Sequence, residues 1–165
     1  MKNKIIKYTK EIILFFIFIT ISMNVISFYK SSDLNKEELK NINVTLLDSK
    51  NYKYPNDKPI LIHFWATWCP ICKLEASNIQ TISQNFEVLS IAINSGSNSN
   101  IKKYMSDNGL NYKVLNDESG VFSKEFNIEV YPTTFIYDKN KKLVFSEVGF
   151  TSTFGLWLRM LWASL

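Results

Sequence analysis

The chain contains two cysteines, and they stand three residues apart as Cys69-Pro70-Ile71-Cys72. In a first helical turn, such an i,i+3 pair brings the α-carbons within the roughly 4.4–6.8 Å that a disulfide needs. Cys69, at the helix start, faces unpaired backbone N–H groups and the positive end of the helix dipole, which stabilise a thiolate. Cys72, one turn in, is the less exposed of the two and suits the resolving role. The chemistry that follows is reversible disulfide exchange: Cys69 attacks or leaves in a mixed disulfide, and Cys72 closes the ring. It needs no cofactor. From a different class, the same residues with His63, the only histidine, suggest a copper or zinc carrier. A structural zinc site takes four ligands, for which this set is poorly supplied. A peroxidase would use one isolated thiol, and these cysteines are paired.

The thiols need a strand and a helix to hold them. Pro59 precedes an almost unbroken apolar run, Ile60, Leu61, Ile62, Phe64 and Trp65, as in a parallel strand covered on both faces. Pro70 suits a first helical position, where its missing N–H costs nothing. Ile71, Leu74, Ile79 and Ile82 are predicted to form one stripe packing back on the sheet. His63 lies within the strand, where a hydrogen-bonded core histidine is the alternative to a site role. Glu75 stands three residues after Cys72 and shares its helix face, so it can exchange protons with that thiol; a solvated first-turn acid is the alternative. Trp68 is expected at the exposed rim and Trp65 in the core.

The remaining pattern predicts a strand over 42–47, a polar crossing over 48–58 and a strand over 86–93. A loop over 94–100 leads to a helix over 101–108 that Gly109 terminates. A short strand over 112–115 and a short helix over 119–126 follow, the latter with Val121, Phe122 and Phe126 inward. Strands over 133–137 and 143–148 flank a polar turn, and a helix over 152–163 closes the chain. Strands alternating with helices, then a hairpin and a last helix, give an α/β fold with a mixed sheet.

The 165 residues fit one domain plus an N-terminal segment. Four lysines, Lys2, Lys4, Lys7 and Lys10, precede an uncharged, mostly apolar run over 12–29. Its 18 residues are near the lower limit for a bilayer span, and the lysines predict an N-in, C-out orientation. Without a clear small-residue cleavage site, a signal anchor is expected in preference to a cleaved signal peptide. The expected divisions are a cytoplasmic 1–11, a transmembrane 12–29, a tether over 30–40 and a domain over 41–165. From residue 31 onward, 14 basic residues balance 14 acidic ones, so the domain has no electrostatic footprint for nucleic acid.

The segment FWATWCPIC (64–72) resembles the active site of the thioredoxin superfamily, particularly the membrane-anchored TlpA/ResA-type thiol–disulfide proteins of bacterial envelopes. VYPTTFIYD (130–138) and VGFTSTFGLWLRMLW (148–162) extend the likeness over about 41–165, towards the ScsD-like protein disulfide oxidoreductases associated with copper tolerance. The resemblance implies a thioredoxin fold, an inner-membrane protein with its domain in the periplasm, and protein thiols and disulfides as substrates. A membrane electron-donor thiol protein would recharge the pair. It implies that Pro132 is cis beside the cysteines and that Tyr131 pairs with substrate backbone; on its own, Pro132 could open an edge strand. Trp68, Pro70 and Ile71 complete the implied substrate-facing set. His63 stands where thioredoxin has a buried aspartate that helps move the proton of the second cysteine, and Glu75 where ResA-like proteins carry a glutamate. Only Lys73 adds positive charge near Cys69, and Glu75 opposes it, so a moderately acidic thiol and a reductase direction are expected. Reduction of the haem-attachment cysteines of cytochrome c is a close alternative.

Overall fold

The computed structural model describes residues 8–15, 17–19, 21–22, 25, 34, 38–39 and 43–165. Of the anchor expected over 12–29, residues 12–15, 17–19, 21–22 and 25 are described and are helical, and the others lie outside the described residues. Among those described, no helix is long and apolar enough to cross a membrane.

Strands β1 (Asn43–Thr45) and β2 (Asn51–Lys53) form a small antiparallel ribbon. The second lies in the polar crossing expected over 48–58, where Asn51 and Lys53 are exposed and only Tyr52 is buried. One apolar residue is too weak a periodic signal to find such a strand. Next come β3 (Ile60–Trp65), α1 (Pro70–Ser83), β4 (Glu87–Ile93), α2 (Asn98–Asp107), β5 (Lys113–Asp117) and α3 (Val121–Glu125). The chain closes with β6 (Thr133–Tyr137), β7 (Leu143–Val148) and α4 (Thr153–Ala163). The main sheet has the order β5-β4-β3-β6-β7. Strand β3 is parallel to β4 and antiparallel to β6. The architecture is therefore the mixed α/β sheet that the alternation of elements implied.

Every residue of β3 is buried, because the sheet is covered on both faces. Leu61 and Trp65 point to one face, with Val88, Ala92 and Ile136; there they meet Ile79 and Ile82 of α1, Ile101 of α2, and Leu156 and Met160 of α4. Ile60, Ile62 and Phe64 point to the other face, against Leu89, Ile91, Phe126 and Phe135. Phe64, Phe126 and Phe135 form a mutual aromatic cluster there, with ring centroids 5.0–5.8 Å apart. The stretch expected as a polar tether meets this face: Leu34 and Leu39 are buried in it. The Leu39 N–H donates to the Lys141 carbonyl (3.1 Å), and the Tyr54 hydroxyl donates to the Leu39 carbonyl (3.1 Å).

Three sequence expectations are corrected. Helix α2 begins at Asn98 and not at 101, because the Ser97 side chain accepts from the Asn100 N–H and caps it earlier. Val121 is exposed, and only Phe126 of the three residues expected inward around α3 is fully buried. On α1 the buried stripe is Cys72, Glu75, Ala76, Ile79 and Ile82. Ile71 and Leu74 lie off that stripe and are 43% and 66% exposed. The inward face therefore begins with a thiol and a carboxyl, where apolar spacing alone would have placed isoleucine and leucine.

This difference is measurable. Ile79→Ala should destabilise the fold by about 3 kcal/mol, in the range for emptying a buried aliphatic site. Leu74→Ala should cost no more than about 0.5 kcal/mol. Urea unfolding of both variants checks it, and equal losses would contradict the assigned face.

Candidate active site

The turn between β3 and α1 is held from the neighbouring strand. The Thr67 N–H donates to Ser95 Oγ (3.0 Å), and that hydroxyl donates to the Ile93 carbonyl (3.0 Å). The Cys69 N–H donates to the Ala66 carbonyl (3.2 Å). Cys69 is the N-cap of α1, with extended backbone, and its Sγ accepts from the Cys72 N–H at 3.2 Å. Sulfur here does what serine or aspartate oxygen usually does at a helix start. Pro70 follows at the first helical position, as its fixed φ favours. Cys69 and Cys72 are joined by a disulfide, with α-carbons 5.3 Å apart.

Both sulfur residues are largely covered, Cys69 at 6% exposure and Cys72 at 2%. The expected order holds, but Cys69 is far less open than a helix start in solvent would be. The loop before β6 is the reason. The Tyr131–Pro132 peptide is cis, and the Tyr131 carbonyl oxygen lies 3.8 Å from Cys69 Sγ. Pro132 is buried, and its carbonyl accepts from the Gly149 N–H at 2.8 Å. Gly149 has φ +93°, a conformation that suits glycine. Trp68 is 60% exposed and meets the Tyr131 ring edge-on at 5.7 Å. Its indole N–H donates to the Asn94 carbonyl (3.1 Å). Trp68, Tyr131 and Pro132 thus gather around Cys69, with Pro70 and Ile71 exposed beside them on α1.

Glu75 is fully buried on the same helical face as Cys72, so the solvated alternative does not hold. One carboxyl oxygen accepts the Thr151 N–H at 2.8 Å, and the other is buried without a hydrogen-bond partner. Burial, reinforced by the nearby Glu147 charge and opposed by the Thr151 N–H, pushes its pKa up to about 8. A neutral carboxyl is therefore the main form at neutral pH. His63 alternates along β3 with Leu61 and Trp65, which places it on the α1 face of the sheet. Its Nδ1 is hydrogen-bonded to Thr134 Oγ1 at 3.0 Å, and burial lowers its pKa to about 3. The ring is neutral. Among the described residues, no group of three or more histidine, cysteine and acidic side chains is placed to hold a metal.

Thr134 and Thr151 were not singled out in the sequence. Thr134 sits directly opposite His63 in the β3–β6 register, so pairing those strands would have found it. Thr151 acts through its backbone N–H, which no residue type reveals.

Fold and site together define a thioredoxin-like protein with a redox-capable cysteine pair. More narrowly, the chain belongs to the AhpC/TSA family, whose model matches residues 32–146. It is similar to a thioredoxin-like protein of Haemophilus influenzae, at 29% identity over 98% of this chain and 96% of that one. It is also similar to the thiol-disulfide oxidoreductase ResA of Geobacillus thermodenitrificans, 30% identical over 52% of each chain. Among solved structures it matches the exposed lipoprotein thioredoxin Etrx1 of Streptococcus pneumoniae, with a TM-score of 0.64 and 26% identity. That match covers 74% of this chain and 98% of the other.

Glu75 makes a pH prediction. Its folded pKa of about 8 exceeds its ordinary 4.5, so the folded state holds one more proton between those values. Stability should therefore be greatest below about pH 4.5 as far as this group is concerned, and fall as pH rises towards 8. In the oxidised protein, Glu75→Gln should flatten this decline, measured as melting temperature from pH 5 to 8. Parallel pH profiles for the two proteins would contradict the burial of an ionisable carboxyl here.

Proposed function

We propose that this chain is a protein thiol–disulfide oxidoreductase, tethered to the inner membrane with its domain in the periplasm and working as a reductase. The observation that carries the activity is Cys69 at the N-cap of α1, disulfide-bonded to Cys72 and facing the Tyr131 carbonyl at the cis proline. The lysines ahead of the apolar run over 12–29 support the tether and its orientation.

In the reduced protein, the Cys69 thiolate is favoured by the Cys72 N–H and the helix N-terminus. It attacks one sulfur of a substrate disulfide, and the substrate's other sulfur leaves as a thiolate that takes up a proton. Cys72 then loses its proton and attacks Cys69, releasing the second substrate thiol and leaving the Cys69–Cys72 disulfide. That step needs a base beside a buried thiol. Glu75, on the same helical face, serves as that base in its ionised fraction, which is the minor form at neutral pH and grows as pH rises towards about 8. His63 is a poor base here, since its imidazole is held neutral by burial; its contribution is positional, through Thr134 on the strand that follows the cis proline. Trp68 and Tyr131 offer aromatic surface to the substrate chain around its cysteine. Two electrons from a membrane thiol protein regenerate the dithiol.

Two experiments test this. Alkylating the reduced protein at graded pH should modify Cys69 first, below pH 8, with Cys72 protected; preferential modification of Cys72 would reverse the roles. Cys72→Ser should accumulate a mixed disulfide on Cys69, while Glu75→Gln slows its release at least several-fold and leaves the first attack nearly unchanged. For the tether, alkaline phosphatase fused after Leu165 should be active in the membrane fraction. Activity confined to the soluble periplasm would remove the anchor from the proposal.

A further inference from the structure

The end of the sheet opposite the thiols carries three features that the exchange chemistry does not use. The first is a chain exit. The apolar run ends at residue 29, and Leu34 is already buried against the domain, so only four residues separate them. Fully extended, that segment spans at most ~17 Å. The strap then passes the β6–β7 turn, where the Leu39 N–H bonds to the Lys141 carbonyl. Because Ile60 pairs with Tyr137, this turn lies at the start of β3, away from the cysteines.

The second feature is charge. The exposed Lys139 and Lys142 lie in that turn, and Lys58, just ahead of β3, is exposed beside it by the same register. The acidic groups at this end are Asp57 and Glu38, both exposed, Glu87, which is paired with Lys113, and Asp138. Asp138 is occupied within the turn, its carboxyl accepting from the Asn140 and Lys142 N–H groups. The third feature is apolar. Helix α4 starts beside α1, where Thr153 bonds to Asn78, and runs along β7, where its Arg159 bonds to Glu147 at 2.8 Å. Its 11 residues extend ~16 Å, about the length of the neighbouring strands. Arg159 is its only charged residue. Leu156, Met160 and Ala163 fill its inner face, yet Leu158, Leu161 and Trp162 point outward, Trp162 at 67% exposure. A helix apolar on both faces has a second partner.

We propose that the lower end of the domain rests on the surface of the bilayer that holds its anchor, with Trp162, Leu158 and Leu161 at the acyl boundary and Lys58, Lys139 and Lys142 on anionic lipid headgroups. The inference rests on the membrane tether proposed above. Tryptophan and leucine on an outward helix face match the interfacial pattern of a helix lying at a membrane surface. The short exit leaves the domain no room to swing clear. The occupant is therefore lipid in preference to a second copy, whose approach to this end the bilayer itself would crowd. Docked this way, the cysteines stand off the membrane by at least the length of the sheet.

All four tryptophans, at 65, 68, 157 and 162, lie in the domain, so their fluorescence reports only on it. The full-length chain is placed in nanodiscs of phosphatidylglycerol and phosphatidylcholine with brominated acyl chains. Trp162→Phe should remove at least half of the lipid quenching, Trp157→Phe less, and Trp68→Phe none. Lys139→Glu with Lys142→Glu should lower quenching at least twofold. Carbonate extraction of cell membranes provides the separate control on the anchor. If the chain stays in the pellet while Trp162→Phe leaves quenching unchanged, the docking is wrong and the tether stands. If Trp68 carries the quenching, the thiol end faces the lipid and the proposed orientation is overturned. Dimerisation lost with Trp162→Phe, without lipid quenching, would assign the face to a second copy. Extraction of the chain by carbonate would sink tether and docking together.

Discussion

Strand β3 is the constraint on which the rest depends. Six consecutive residues with no solvent-facing side must alternate between two cores, and a slip of one position would exchange the whole set. Pairing on both edges, parallel to β4 and antiparallel to β6, fixes where the strand stops. That point fixes the thiols: two residues past the turn, the helix has begun and its cap is already sulfur. The proline loop reaches the same point from the other edge, since β6 begins where β3 ends. Active-site geometry here follows from the sheet register.

This explains what could be read from the sequence and what could not. The strand–turn–helix around the cysteines is local and is written in residue types: an apolar run, then Pro70, then a helical period. The hairpin of β6 and β7 is equally local. Ribbon strand β2 has one buried residue, and the early start of α2 depends on a single serine cap. Neither produces a pattern that periodicity can detect. At the site, the cysteines were legible from their spacing and redox chemistry, and Pro132 only through the family resemblance, since a proline ahead of a strand can equally open an edge. Burial of Glu75 was not, because a carboxyl in a helix usually marks the wet face. Its protection comes from residues 76 positions away, and such distance is a property of topology.

The α1 side of the sheet carries more polar atoms than packing alone would favour. Trp65 donates to Ser90 at 3.1 Å, His63 bonds to Thr134, and Glu75 takes the Thr151 N–H. Apart from the second oxygen of Glu75, each of these contacts satisfies a group that would otherwise be costly to bury. The opposite face is nearly all aliphatic and aromatic. Both sides of the sheet thus carry core packing, and the buried polar groups around the thiols lie on one of them. With one oxygen buried and unpartnered, this carboxyl is favoured in its neutral form, the direction in which burial shifts it.

The sulfur cap of α1 has a consequence for how the reactive group can be removed. Cys69 is both the chemical centre and the group that satisfies the backbone at the helix start. Serine is among the residues best suited to that second task. An oxygen in place of the Cys69 sulfur therefore silences electron transfer while leaving the helix its cap, so architecture and reactivity are separable at one atom. A chain altered in this way would retain the surface that recognises a partner and could hold it without ever exchanging a bond.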